Sequence, residues 1–374
     1  IMVSATQQFS RIRRRKKTTN GKRNSTALFA ELGLPITKKI EGQLALRTDR
    51  YSDYGSSTTP KVGIKYTPND MIALRANWGK GFRAPTLPEI SPSVATFFTS
   101  VIDPEDDTAR NISGVFAGNP NLKAEKSTSA TVGIVFEPNK NFNVSLDLYK
   151  IDWRDVVASR GFGDIIDESC PNGGPGCPST ANVIRDPNNN NQVVTILSNY
   201  QNLASRVTTG ADIDARFTLP TTTWGKFTNR LSLTYVRSFK EDGVEYAGSN
   251  AGSNTIPRIR ANFAVDWDRG PFSITGRLNY THSVRQDLLP ASYFTAQDPR
   301  FQTGVFPDRV GSLTTFDLYG RYQFNKNITV SASVINLLDK MPPHDPGFSS
   351  TSLYDFSLHS TLGRQIRLAF NYKM

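Results

Sequence analysis

Along most of this chain, apolar residues recur at every second position rather than at the three-to-four spacing of a helix. From Thr26, the residues Leu28, Ala30, Leu32, Leu34 and Ile36 alternate with Phe29, Glu31, Gly33 and Pro35. In MIALRANWG, Ile72, Leu74, Ala76 and Trp78 oppose Arg75 and Asn77. In RANFAVDW, Ala261, Phe263, Val265 and Trp267 oppose Arg260, Asn262 and Asp266. The last stretch, RQIRLAFNYKM, places Ile366, Leu368, Phe370, Tyr372 and Met374 on one face and Gln365, Arg367, Ala369, Asn371 and Lys373 on the other. Period two predicts strands with one greasy and one polar face.

The connections alternate too. Short ones read PITKK, TPND, EPNKN, DRGP and FNKN, compact turns of Pro, Gly, Asn and Asp. Between them fall long polar stretches at roughly 84–124, 158–194, 239–255, 282–311 and 340–353, with no helical segment evident. Short turns at one end and long loops at the other predict an all-β, antiparallel, up-and-down transmembrane β-barrel of about 13 strands. Aromatics fit that layout, since Tyr66, Trp78, Phe136, Phe142, Trp267, Phe272, Phe324 and Tyr372 fall on the apolar face, where an interfacial girdle near the short turns is expected.

Composition is compatible with this reading. The 374 residues are 37% hydrophobic with a mean hydropathy of −0.40, and no window reaches the roughly 18 apolar residues of a helical span. A spanning strand needs only about 9 to 11 residues, half of them apolar. The net charge of +11 is concentrated at one end: residues 1–23 hold Arg11, Arg13, Arg14, Arg15, Lys16, Lys17, Lys22 and Arg23 without an acid. No nucleic-acid module accompanies that run, so it reads as a solvated loop. The start lacks the features of a signal peptide, and Cys170 and Cys177, in CPNGGPGC, read as a loop disulfide in an oxidising compartment, with two free surface thiols as the alternative.

Eight strings in order resemble the C-terminal barrel half of TonB-dependent outer-membrane receptors: ALFAELGLPI, RTDRYSDYG, TPKVGIKYTP, RANWGKGFRAPTLPE, GNPNLKAEKS, NVSLDLYKID, VINLLDK and the terminal YDFSLHSTLGRQIRLAFNYKM. The resemblance implies a 22-stranded barrel, a plug domain and a motif engaging the energy-transducing TonB protein. Against that plan the chain reads as a fragment. Residues 1–24 would be a partial strand and a basic extracellular loop, and 25–374 the C-terminal portion of the barrel, with plug, TonB motif and signal peptide absent. The implied function is TonB-energised uptake, across the bacterial cell outer membrane, of a bulky scarce nutrient such as a ferric siderophore. Implied partners are outer-membrane lipid, the barrel-assembly machinery, the small-molecule ligand and, through the missing N-terminal region, the TonB complex. The terminal strand is similar to the assembly signal of such proteins, carried here by Phe370, Tyr372 and Met374, although those usually end in Phe or Trp. The alternatives are a passive porin, which predicts an even-numbered closed barrel, and a soluble all-β binding module.

No enzyme is expected. GKGFR at 79–83 lacks the spacing of a phosphate loop. His282, His344 and His359 are scattered over different loops, and no metal or cofactor is expected. DPEDD at 103–107 lacks the Gly and terminal Glu of a calcium loop and reads as a solvated acidic loop. The inward face would carry Glu31, Arg47, Asp49, Lys61, Lys65, Arg75, Asp147, Asp212, Asp214, Arg216, Asp266, Arg277, Asp317, Arg321 and Arg367, facing either a plug or one another across strands. Ligand capture would fall to the long loops, with Arg83, Phe97, Phe98, Phe116, Tyr200 and Phe294 suited to a bulky anionic ligand.

Overall fold

A computed structural model describes residues 22–92, 94–219, 223–251, 254–286, 309–345 and 354–373. Residues 1–21, Phe294 and Met374, for which the sequence raised expectations, lie outside these. In chain order the elements are β1 (Ser25–Pro35), β2 (Ile40–Tyr51), β3 (Gly55–Asn69), β4 (Ile72–Arg83), α1 (Leu87–Ile90), β5 (Val94–Asp103), β6 (Thr108–Ala117), β7 (Glu125–Asn139) and β8 (Phe142–Ser159). They continue with α2 (Phe162–Ser169), β9 (Val183–Asp186), β10 (Gln192–Leu219), β11 (Lys226–Glu241), β12 (Val244–Glu245), β13 (Asn250–Ala251), β14 (Asn254–Thr255) and β15 (Ile259–Arg269). The last are β16 (Phe272–Thr281), β17 (Val284–Arg285), β18 (Arg309–Val310), β19 (Leu313–Gln323), β20 (Ile328–Ile335) and β21 (Gln365–Tyr372).

One 17-stranded sheet contains most of them. Setting aside β5, β6, β9 and β12 leaves a continuous antiparallel wall of thirteen strands, β1-β2-β3-β4-β7-β8-β10-β11-β15-β16-β19-β20-β21. It is an open sheet: among the described residues β1 pairs only with β2, and β21 only with β20.

Four of the short turns share one chemistry. A side-chain oxygen at the turn's start accepts the backbone N–H groups two or three residues on, replacing ladder bonds that the reversal removes. Asn69 Oδ1 accepts from Met71 and Ile72 (both 3.0 Å), and Asn139 Oδ1 from Asn141 (2.9 Å). Asn325 Oδ1 accepts from Asn327 (2.9 Å) and Ile328 (2.8 Å), and Thr37 Oγ1 from Lys39 and Ile40 (3.1 and 3.0 Å). The strands leaving these turns keep their alternation across partners, so Leu32, Leu44, Val62, Trp78 and Ala130 are neighbours on one face. That face is an exposed aliphatic surface, with Leu28, Val132, Ile366 and Leu368 all largely uncovered. Lipid is the solvent that such a surface fits.

Rings flank the short turns. Phe136, Phe142 and Phe217 meet in series at 6.2 Å, and Phe272, Tyr322 and Phe324 at 4.6 and 4.5 Å. Trp78 departs from the expected position. It lies in mid-strand on the rung of Val62, Ala130 and Lys150, at the far border of the aliphatic band.

The long connections are not merely loops. The stretches 84–124 and 158–194 contribute α1, β5, β6, α2 and β9, so two short helices exist where none was expected. The 28-residue β10 joins both levels: its C-terminal part belongs to the wall, while its N-terminal part pairs parallel with β6 and antiparallel with β9. Bulges around Asn202 and Ala204 mark the bend. The resulting small sheet, β5-β6-β10-β9, packs against α2 over a core of Val101, Ile112, Ile165, Ile166, Val183, Val193 and Ile196. Part of it was hidden because the four-residue β9 and an eight-residue helix with many polar residues look like loop.

Candidate functional site

The polar face of the wall carries its charges in register. Arg75 of β4, Gly133 of β7 and Asp147 of β8 share one rung. The Arg75 Nε–H donates to Asp147 Oδ1 at 2.8 Å, and its other guanidinium edge binds Oδ2. The pair reaches across β7 because Gly133 has no side chain; a Cβ there would lie 2.0 Å from Asp147 Oδ1 and 3.0 Å from Arg75 Nε. Arg230 donates to Asp266 (2.8 Å), and Arg47 to Asp49 through two bonds of 2.8 Å. Lys65 lies 3.6 Å from Glu41. Glu31 accepts from Gln43, and Asp212 from the Thr234 hydroxyl (2.7 Å). Asp317 accepts from Asn279 (3.0 Å) and the Asn336 N–H (2.9 Å). Arg277 lies over the Tyr319 ring at 5.2 Å, and Arg321 donates to Ser273 (3.0 Å). Asp214 and Lys61 occupy the same face. Near the short turns a recess is lined by Arg216, Lys226, Arg321 and Arg367 together with Asp266 and Asp268. Among the described residues no carboxylate lies within ion-pair reach of those four cations.

The loop end brings part of the expected ligand set together. Phe97 stacks on Phe116 at 5.4 Å, Phe116 on Tyr200 at 6.3 Å, and Phe162 closes the cluster at 5.4 and 5.1 Å from Phe97 and Phe116. Gly114 makes room, since a Cβ there would lie 2.9 Å from the Phe162 ring. Phe98, the next residue on β5, points to the opposite side of the sheet and is 80% exposed. Arg83 is elsewhere and occupied: its guanidinium spans Glu89 of α1 (3.2 Å to both oxygens) and Glu125 at the start of β7. Glu125, 1% exposed, also accepts the Val157 N–H at 2.9 Å. Arg83 therefore ties the top of β4 to β7, β8 and the loop after it.

The acidic stretch 103–107 is not a uniformly solvated loop. Asp103 and Arg185 have fully buried side chains and pair at 2.9 Å. The second Asp103 oxygen accepts from Arg185 (3.1 Å) and the Val193 N–H (2.9 Å), the first from the Glu105 N–H (3.1 Å). Burial alone would push the Asp103 carboxyl up; the Arg185 guanidinium and these N–H groups outweigh it and hold it below the usual carboxylate range. Glu105 accepts the N–H groups of Gly176 (2.8 Å) and Cys177 (2.7 Å), and the Asn191 amide (2.9 Å). The Gly176 N–H is the foremost cause that lowers its pKa. Cys170 and Cys177 are joined as a disulfide, with Cα atoms 5.4 Å apart. Asp103 and Glu105 thus fasten β5, the disulfide turn, β9 and the start of β10 into one body.

Sequence reasoning missed Phe162, Arg185 and the role of Glu125. Glu125 stands inside GNPNLKAEKS, and a lone acid between Lys123 and Lys126 was its only signal. Phe162 and Arg185 carried none, because their partners lie on other segments.

The family profile for the TonB dependent receptor-like β-barrel matches residues 4–337. The ferric enterobactin receptor of Pseudomonas aeruginosa is 22% identical over 321 residues, 84% of this chain and 37% of that protein. The probable TonB-dependent siderophore receptor PirA of Acinetobacter baumannii is 23% identical over 324 residues, 83% of this chain and 38% of that one. Among solved structures, the siderophore receptor PirA from Acinetobacter baumannii superposes with a TM-score of 0.65 at 17% identity, covering 94% of this chain and 46% of the other. A ferric enterobactin receptor from Pseudomonas aeruginosa gives 0.64 at 17%, covering 94% and 45%. The chain thus spans less than half the length of these relatives. With its thirteen-stranded two-faced wall and this match over most of its length, the chain belongs to the family of TonB-dependent receptor-like β-barrels.

Proposed function

We propose that this chain is part of an outer-membrane receptor that takes up a bulky, scarce nutrient such as a ferric siderophore, energised by TonB through a region outside this sequence. The observation that carries the reading is the packed, aromatic-centred sheet at the long-loop end of a family barrel wall. A bare channel wall needs no such body, whereas recognition needs rigid loops. The names of the relatives point the same way: two are siderophore or ferric enterobactin receptors, and one solved relative is described in complex with enterobactin. Exposed Phe98 is the ligand-facing candidate, with Phe97, Phe116 and Tyr200 as the stack beneath it. Arg83 then positions loops rather than contacting ligand. The cations Arg216, Lys226, Arg321 and Arg367 would face a plug. Outer-membrane lipid and the barrel-assembly machinery are the further partners, and no catalytic role is assigned.

The test is uptake of radiolabelled ferric siderophores by iron-starved cells with and without the gene. Accumulation that needs the gene and stops with a protonophore supports energised import. Gene-dependent uptake that persists without proton-motive force would instead identify a passive channel.

A further inference from the structure

The inner face of the wall handles its charge differently in its two halves. Across β1 to β8 the inward cations are neutralised within the wall: Arg47 by Asp49, Lys65 by Glu41 and Arg75 by Asp147, with Lys61 the exception. Across β10 to β21 several acids take neutral donors instead. Asp212 accepts from Thr234 (2.7 Å), Asp268 from Ser273 (2.6 Å) and Asp317 from Asn279 (3.0 Å). Of the cations near the short turns of that half, Arg230 alone among the described residues is ion-paired, with Asp266 at 2.8 Å.

Register produces the imbalance. Next to the short turns one rung holds Lys226, Asp268, Ser273, Arg321 and Ser331, and the Ser273 hydroxyl donates to Asp268 while accepting from Arg321 at 3.0 Å, so it stands between the acid and that guanidinium. The following rung brings in Arg367 beside Ser333. On the rung after that, Arg216 of β10 lies directly opposite Arg230 of β11, and Arg277 follows with only Ala264 between. Like charges opposite one another destabilise a strand pair, and the wall itself supplies nothing to offset this for Arg216. Arg216, Lys226, Arg321 and Arg367 are exposed into a recess of about 750 Å³ whose other walls include Thr228 and Ser331. That volume falls within the range of about 300 to 1,000 Å³ that small-molecule sites occupy. A concave surface lined mainly by one sign of charge concentrates its field and draws in counter-charge.

We propose that this recess is a second, weak station for the transported nutrient, at the short-turn end of the interior, and that it takes a small polyanion through carboxylate or phenolate oxygens. The anion then leaves along β10 to β21 rather than along the self-neutralised β1 to β8. The proposal rests on the uptake reading above and adds to it the charge of the ligand and the side of the interior that it follows. The station lies at the opposite end of the wall from the loop sheet, so capture and release fall to different residues. Its cations are exposed and hydrated, which keeps each contact weak and lets the ligand go.

The experiment modifies arginines with phenylglyoxal in the full receptor extracted from membranes, and reads each one by peptide mass spectrometry. A ferric tricatecholate, which is a trianion, should slow modification of Arg216, Arg321 and Arg367 about fivefold at about four times a millimolar Kd, and leave the Asp147-clamped Arg75 unchanged. An uncharged ferric trihydroxamate of similar size should give no protection. In cells, Arg216→Gln/Arg321→Gln/Arg367→Gln should leave ligand binding at the surface unchanged and lower the maximal rate of energised uptake about twofold per cation, on the order of tenfold in all. Lysine at the three positions should keep the rate, and Lys61→Gln should not change it. The station is overturned if the three arginines react equally with and without the trianion, or if the neutral chelate or inorganic phosphate protects them as well. It is also overturned if the glutamine variant admits a large antibiotic that cells with the unaltered receptor exclude, since the cations would then be seating a plug. Were cells with the unaltered receptor to accumulate no ferric siderophore by energised uptake, that reading would fall together with the station; energised uptake at an unchanged rate in the variant removes the station alone.

Discussion

Arg185 should be the residue on which the loop body depends most. It is fully buried beside Asp103, and its guanidinium makes contacts of 2.9 and 3.1 Å with that carboxylate and donates to the Asn191 carbonyl at 3.0 Å. Replacing it with Met leaves a buried anion whose remaining partners are the N–H groups of Val193 and Glu105. Stranding one member of a buried pair costs about 3 to 5 kcal/mol, and the two N–H bonds argue for the lower end. A loss of about 3 kcal/mol moves the closed-to-open ratio of the subdomain roughly 150-fold. Hydrogen exchange at the Val193 and Ile196 amides, in protein extracted from membranes, reads that ratio directly. Adding Asp103→Asn removes the stranded charge while keeping an acceptor for Val193, and should restore about 1 to 2 kcal/mol. Exchange unchanged in the single variant, or made faster still by the second substitution, would refute the reasoning.

Three further outcomes can be checked. Because Asp103 and Glu105 titrate below their ordinary values of 3.8 and 4.5, their contribution is present at neutral pH and lost as pH falls through the lowered values; surface proteolysis of the loop body should accelerate only below about pH 4. Reducing Cys170–Cys177 closes no new space but frees the turn that Glu105 holds, and a loop this short is worth about 2.5 kcal/mol, measured as faster trypsin cleavage at Arg160 on intact cells after reductant. Gly133→Ala places a Cβ 2.0 Å from Asp147 Oδ1 and must break the Arg75 clamp; because that pair is partly exposed, the loss should be about 1 kcal/mol, read as a lower denaturation temperature of the detergent-extracted barrel, with Gly133→Ala/Asp147→Asn no worse than Gly133→Ala alone.

The division between what could be read in the letters and what could not follows from the range of the interactions. Strand alternation and turn chemistry are local, acting over two to four residues, so the two faces, the thirteen wall strands and the Asn-based turns were legible from runs such as MIALRANWG and TPND. The disulfide was legible for the same reason, its two cysteines being close in sequence. The loop body was not, because its partners are distant: Asp103 meets Arg185 across 82 positions, Arg83 meets Glu125 across 42, and Phe162 finds Phe97 only after α2 folds onto β5. Reading DPEDD as solvated holds for Asp106 and Asp107 and fails at Asp103 and Glu105, because exposure is set by what packs on a segment, not by its own polarity. Lys80, Lys126 and Lys150 show the same limit in reverse: their letters mark them as polar, and only the register across β4, β7 and β8 decides that they share a face with Trp78, Val132 and Leu148.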